Sequence, residues 1–325
     1  MIRSLFLFSI LFAPLQPAIT LAEADDGGQL YDRLKRASVE ILVERRLAGT
    51  GCVIQDDGLI LTAAHLFRQS RNEIEVLMAD RVRLPATLIA VDEGHDLALL
   101  ELPKRETPIP HIPLAEQMAA PGKHAFLFGT PLFRHAVMIR GVVARKGTTC
   151  EFVDGHYVEV MHVGAIAPKG TSGGPWVNGR GEVIGVQSSG MALGDAQQGI
   201  AFVAPLPAVR KLVESKKSAK TPTLGIAVEE LWEQPPQYLK KIDRQVTGVV
   251  AKIVKKDGQA AKTGIVKNEI ISAVDGRPVQ FRDDFVQAVR RRSVGNSVKL
   301  TVLDAEGKKR REVSIPLVAL ERSGQ

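Results

Sequence analysis

Between Ser38 and Pro205 the chain is interrupted every few residues by Gly, Pro, Asp or Asn, and the runs between interruptions are short, apolar and often β-branched. "SVEILVE", "CVIQDDGLILTAAH", "ATLIAVD", "DLALLEL", "AFLFG", "VMIRGVVA", "YVEVMHV", "EVIGVQS" and "GIAFVAP" follow one another with few stretches of helical spacing between them. Strands of this length at this spacing predict an all-β barrel or sandwich. Helical spacing appears in "LPAVRKLVESKK", with Leu206, Val209, Leu212 and Val213 on one face, and "ESKKSAKTP" after it reads as a linker. A second unit, from about Thr223 to Leu317, alternates strand patterns such as "TGVVAKIV" and "SVKLTVL" with one helix. That helix is expected to begin after "FRDD", with Asp283 or Asp284 as its cap and Phe285, Val286 and Val289 as its apolar face. A chain of 325 residues, 45% of them hydrophobic, has enough apolar surface for about two cores.

The chemistry rests on whether Ser172, in "PKGTSGGPWV", is a nucleophile or a turn residue. Gly-x-Ser-x-Gly is weak evidence by itself. Acyl transfer by serine also needs a base, an acid to hold the base's tautomer, and donors for the oxyanion. "LILTAAHLF" puts His65 just beyond an apolar strand, and "DEGHDLALLEL" puts Asp96 at the head of a very apolar run. A desolvated carboxylate there needs a partner, and an imidazole N–H is a suitable one. Asp92, four residues earlier, competes for the role but does not directly precede the buried run. The chain order His, Asp, Ser differs from the Ser, acid, His order of α/β-hydrolases and agrees with the chymotrypsin type.

"GTGCVIQDDGLILTAAH", "HDLALLEL", "GTSGGPWVNGRGEVIGVQS" and "GIAFVAP", in that order, resemble the HtrA/Deg family of secreted trypsin-like serine proteases. "TLGIAV" and "GQAAKTGIVKNEIISAVDGRPVQFRDDFVQAV" resemble the PDZ domain that follows the protease in that family. The resemblance implies a mainly β protein, a chymotrypsin-like double β-barrel followed by a small α+β PDZ domain. Its expected divisions are a leader at 1–22, a protease domain at 23–213, a linker at 214–222, a PDZ domain at 223–318 and a tail at 319–325. It implies Ser172 as nucleophile, His65 as base and then acid, Asp96 as orienting acid, and the amides of Gly170 and Ser172 as oxyanion donors. It further implies an S1 wall of Gly164, Ala165, Ile166 and Ala167, a substrate-pairing strand around 187–190, and capture of a peptide carboxylate by the amides of Leu224, Gly225 and Ile226. The peptide would lie between that strand and the 284–292 helix. The S1 wall carries no acid, so cleavage after small aliphatic residues is expected rather than after Lys or Arg. Two features depart from the family: Thr171 where Asn is usual, and "FGTP" in place of a Gly-Asn-Pro turn. The function implied is ATP-independent endoproteolysis of unfolded or mislocalised envelope proteins, by a chain that by analogy forms homotrimers. A chaperone-like binding protein and a narrow protease cutting one membrane-bound regulator are the alternatives.

"MIRSLFLFSILFAPLQPAITLA" has one basic residue, an apolar run from Leu5 to Phe12, and small residues at Thr20 and Ala22, so it reads as a cleaved secretory signal leading to the periplasm. Residues 206–325 hold 24 Lys and Arg against 14 Asp and Glu, a basic end on a chain of net charge +7. No aromatic residues interleave its basic clusters as stacking platforms, so nucleic acid is not an expected partner. The two cysteines, Cys52 and Cys150, are too few for a disulfide framework, and whether they pair is open. The histidines have no ligand spacing with cysteine or carboxylate, so neither metal nor cofactor is expected.

Overall fold

The computed structural model describes residues 27–153, 155–194 and 196–320; the expected leader at 1–22 and the last residues of the tail lie outside them. Gly27–Ala37 is a helix that the sequence reading did not anticipate, though Leu30, Leu34 and Ala37 recur at helical spacing and are its buried residues. Completely buried Leu34 contributes about 2 kcal/mol by its removal from water.

The first barrel is a seven-stranded antiparallel sheet in the order Arg83–Pro85, Ile74–Leu77, Ser38–Val43, Arg46–Val53, Leu59–Ala63, Leu97–Glu101, Thr87–Asp92. Glu44 and Arg45, both at positive φ, make the two-residue turn between Ser38–Val43 and Arg46–Val53, which keeps that connection tight. All five residues of Leu59–Ala63 are buried, because this strand has neighbours on both edges and apolar layers on both faces.

The second barrel closes into a ring: His124–Gly129, Val137–Val143, His156–Gly164, Ala196–Pro205, Val183–Leu193 and Pro175–Val177 pair in circular order. Thr149–Val153 pairs with the first half of His156–Gly164 and extends from the ring as a hairpin. The helix Leu206–Ser215 forms as expected. Its Ala208, Val209 and Leu212 share one core with Leu59, Leu97 and Leu99 of the first barrel and Phe128, Val183 and Val186 of the second. The segment after it is fastened along the edge strand Thr87–Asp92: Ala219 N–H donates to Val91 O at 2.8 Å, and Val91 N–H donates to Ser218 Oγ at 3.1 Å.

The last unit is a sheet in the order Ile226–Glu230, Val249–Val254, Ile270–Val274, Ser297–Leu303, Arg310–Pro316. "TLGIAV" is not one strand: Pro222–Thr223 and Ile226–Glu230 are separated at Leu224–Gly225, where Gly225 has φ 74°. The helix runs Arg282–Arg290, starting earlier than expected. The reason is that the two aspartates lie inside its first turn. Asp284 Oδ2 accepts from Phe281 N at 3.0 Å, whereas Asp283 Oδ1 reaches across to accept from Cys150 N at 3.0 Å. Cys52 and Cys150 are both free and buried, in different cores. Cys150 belongs to the protease hairpin yet packs in the core of the last unit, and burial pushes its thiol up to about 12.

Candidate active site

His65 sits on the 3-10 turn Ala64–Phe67 that ends Leu59–Ala63. Ala64 and Phe67 are buried and anchor the turn, so the intervening His65 faces the cleft with about a quarter of its side chain exposed (26%). Asp96 closes the loop between Thr87–Asp92 and Leu97–Glu101, in the left-handed region at φ 55°. Its Oδ1 accepts from His65 N at 2.8 Å, and its Oδ2 lies 2.7 Å from His65 Nδ1. An ionised carboxylate only accepts, so Nδ1 carries the proton and Nε2 is left with the basic lone pair in the neutral ring. Burial alone pushes the Asp96 carboxyl up. The His65 ring, its hydrogen bond, the Ser188 hydroxyl and the Arg68 charge outweigh that and hold it below the usual carboxylate range. Asp92 is taken up elsewhere, 2.8 Å from His95 Nδ1 through its Oδ2.

Ser172 lies in the glycine-rich bend and its Oγ donates weakly to Ser188 O at 3.4 Å. Leu132 N donates to Lys169 O at 2.9 Å. The N–H of a trans peptide points opposite to its C=O, so this contact turns the Gly170 amide away from Leu132. Gly170 N and Ser172 N make no hydrogen bond within the described residues, and both residues line the cavity that holds His65. Thr171 does not disturb the bend: its Oγ1 donates to Pro168 O at 2.7 Å and closes the turn beneath it. Directly after "FGTP", Leu132 and Phe133 enter the left-handed region, at φ 47° and 64°, and Leu132 is the donor to Lys169.

That cavity encloses about 1290 Å³ and opens between the protease and the last unit, whose Leu224, Gly225 and Ile226 line its far side. The Gly225 amide is already engaged by Thr223 Oγ1 at 3.1 Å. The four S1 candidates are not gathered there. Gly164 pairs in the barrel with Ile200, Ala167 is buried with its carbonyl accepting from Gln197 Nε2 at 2.8 Å, and Ile166 is 56% exposed.

The expected peptide groove between Ile226–Glu230 and Arg282–Arg290 is filled by the chain's own hairpin. Val228 N donates to Tyr157 Oη at 2.7 Å, and Tyr157 Oη donates to Val228 O at 2.9 Å. Cys150 packs among Ile226, Val228, Phe285, Val286 and Val289. A hydroxyl that both accepts and donates satisfies the strand edge where a peptide backbone would otherwise add.

Comparison with known proteins identifies two domains. Residues 49–186 match the trypsin-like peptidase domain and residues 222–317 match the PDZ domain. A probable periplasmic serine endoprotease DegP-like of Pseudomonas putida is 28% identical over 264 residues, 80% of this chain and 54% of the relative. A namesake from Brucella suis is 27% identical over 282 residues, 85% of this chain and 54% of the relative.

The chain resembles the HtrA type in carrying a trypsin-like peptidase domain followed by a PDZ domain. It spans little more than half the length of the curated relatives it matches. The fold agrees with the HtrA-type protease AlgW with decapeptide, at TM-score 0.67 and 19% identity over 91% of this chain and 99% of that one. A serine endoprotease from Yersinia pestis gives TM-score 0.63 and 23% identity over 90% and 98%. Within this chain three groups escaped the sequence reading. Ser188 donates to Asp96 Oδ2 at 2.5 Å from the strand already expected to pair with substrate. Arg68, one turn beyond His65, has its Nη2 4.0 Å from Asp96 Oδ1 and 3.3 Å from His156 Nε2. His95 lies between Asp92 and Glu159, its Nε2 3.5 Å from Glu159 Oε2. Its sequence signal was present, a histidine three residues after an aspartate in a turn, but nothing local pointed to Glu159.

Proposed function

We propose that the chain is a serine endopeptidase that hydrolyses unfolded or mislocalised polypeptides of the cell envelope through an acyl-enzyme on Ser172. The observation that carries this reading is the buried Asp96 carboxylate holding both the backbone N–H and the ring Nδ1 of His65, which leaves Nε2 basic. Ser172 Oγ adds to the scissile carbonyl carbon as its proton passes to His65 Nε2, and the oxyanion is met by the amides of Gly170 and Ser172. The C–N bond breaks with the His65 proton going to the leaving amine. Water, deprotonated by the same ring, then releases the acyl group. Residues 164–167 carry no acid but do not line the cavity that holds His65, so the preference proposed for small aliphatic residues at the cleaved position rests on the chemistry of that segment alone. Exposed hydrophobic C-termini are the ligands proposed for the PDZ groove, and they compete there with Tyr157 of the hairpin. The names of the relatives support a periplasmic site of action.

The test is labelling by a fluorophosphonate together with degradation of a permanently unfolded protein, with wild type beside Ser172→Ala. Labelling and cleavage by the wild type alone are expected. Equal cleavage by both would remove Ser172 from the mechanism, and binding without cleavage by either would make this a chaperone-like frame.

A further inference from the structure

The turn that carries Asp96 is gripped by the PDZ domain. Strands Thr87–Asp92 and Leu97–Glu101 end their pairing at Asp92 and Leu97, leaving residues 93–96 to reverse the chain and to place Asp96 at φ 55°. Asp enters the left-handed region more readily than most residues with a Cβ, so the contacts around this turn, rather than local strain, fix its place. At its far end Ala64 N donates to Asp96 O at 3.2 Å. At its tip, Gly94 O accepts from two donors: Glu159 N of the hairpin strand at 2.9 Å and Arg290 Nη1 of the PDZ helix at 2.8 Å. The other arm of the same guanidinium donates from Nη2 to Tyr157 O. A Cβ built on Gly94 would lie 2.4 Å from Thr221 Oγ1, so the turn also abuts, without a gap, the segment leading into the PDZ domain.

We propose that Arg290 is a positioning residue for the catalytic acid: by bridging Gly94 O and Tyr157 O, the PDZ helix fixes the turn that aims Asp96 at His65. The proposal rests on the reading of Ser172, His65 and Asp96 as a working triad. The chemistry selects arginine. Two diverging N–H groups in one rigid plane can serve two separate carbonyls at once, whereas a lysine ammonium holds neither in fixed orientation. Arg290 touches no reacting atom. It links the docking state of the PDZ domain to the acid of the triad, and so to the basicity of His65, rather than to the nucleophile bend. A PDZ helix drawn away from the hairpin releases Gly94 and loosens the acid.

The experiment compares the full mature chain with Arg290→Met, Arg290→Lys, Gly94→Ala and, as a charge control, Arg292→Met, whose side chain pairs with Asp275 instead. Peptide-cleavage kinetics across pH are normalised to the amount of enzyme that a fluorophosphonate finally labels. Arg290→Met is expected to lower kcat about 10- to 100-fold with KM within about twofold, the scale on which small misplacements of catalytic groups act. The acidic limb of its kcat/KM profile moves to lower pH, because a less well-aimed carboxylate stabilises the imidazolium less. Arg290→Lys falls between. Gly94→Ala, which pushes the turn off Thr221, reproduces the kcat loss through a different contact and serves if Arg290→Met does not fold. Arg292→Met matches wild type. Wild-type kcat and pH profile in Arg290→Met overturn the proposal, as does a loss that Arg292→Met shares or one confined to KM. Absence of Ser172-dependent labelling in the wild type itself sinks the underlying triad reading, and this inference with it.

Discussion

Ser188 of the second barrel donates its hydroxyl proton to Oδ2 of Asp96 in the first, at 2.5 Å. Both residues are buried, and the bond ties the carboxylate to the strand beside the nucleophile bend. Removing one donor from a buried carboxylate costs about 1–2 kcal/mol. Ser188→Ala is therefore expected to lower kcat/KM about 10-fold and to reduce the melting temperature by a few degrees. Asp96→Asn, which loses the acceptor that fixes the His65 tautomer, is expected to cost on the order of 10⁴-fold, by analogy with the chymotrypsin triad. Steady-state kinetics of the two variants beside wild type check both magnitudes. A Ser188→Ala loss as large as that of Asp96→Asn would contradict the arrangement.

Gly170 is held at φ 96°, and a Cβ there would fall 2.4 Å from Thr130 O. Neither the backbone conformation nor the space admits a side chain, so Gly170→Ala must rotate the amide that faces the cavity. Loss of one oxyanion donor costs about 10²- to 10³-fold in kcat. A drop of that size in kcat, with the fold retained by circular dichroism, is the expected result. Unchanged kcat would place the oxyanion donors elsewhere.

His95 is a pH-dependent clasp between the Asp96 turn and the hairpin. Burial by itself lowers its basicity, but the hydrogen bonds to Asp92 and Glu159 raise its pKa from 6.5 to about 9. Glu159 is lowered from 4.5 to about 2, first by its bond to His95. The raised His95 value means its contribution is complete below about pH 6.5 and lost as pH rises through about 9. The lowered Glu159 value means its share is complete above about pH 4.5 and lost as pH falls through about 2. Thermal melting from pH 4 to 10 is expected to show the alkaline loss, and His95→Gln to flatten it. Retention of the full alkaline slope in His95→Gln would assign that slope to other groups.

Tyr157 occupies the PDZ strand edge through two hydrogen bonds to Val228. A peptide reaches the groove only in molecules where the hairpin has left, so its apparent affinity is reduced by that fraction. Tyr157→Phe keeps the ring but loses both bonds, each of about 1 kcal/mol. Binding of a fluorescent peptide with a free hydrophobic C-terminus is expected to tighten about 5- to 30-fold in anisotropy titrations. An unchanged dissociation constant would mean that peptide and hairpin do not compete.

Much of this protein was readable from local pattern. The short β-branched runs place most of the strands of both barrels, because each is long enough to show its own alternation or full burial. Short Thr149–Val153 was missed, since a strand that buries Cys150 against another domain carries no periodicity of its own. His65, Asp96 and Ser172 were legible because each stands at the end of an apolar run or in a glycine bend, where a polar side chain has few other reasons to be. Of the two aspartates it is Asp96 that contacts the His65 ring, while Asp92 pairs with His95. The helix Arg282–Arg290 was found, yet its start was misplaced because Asp283 serves a neighbour and not the cap.

Residue order and chemistry alone determined a His, Asp, Ser succession on a mainly β frame followed by a small α+β unit. Tertiary structure alone decided that Ser188 and Arg68 share the Asp96 carboxylate, that Arg290 reaches the Asp96 turn, and that Tyr157 fills the groove expected for a peptide. Those contacts join residues as far as 196 positions apart in the chain. The Arg290 and Tyr157 contacts depend on how the two domains are oriented, and the Ser188 contact on how the two barrels are, and orientation arises from the summed packing of whole surfaces, which leaves no spacing or motif in any one segment.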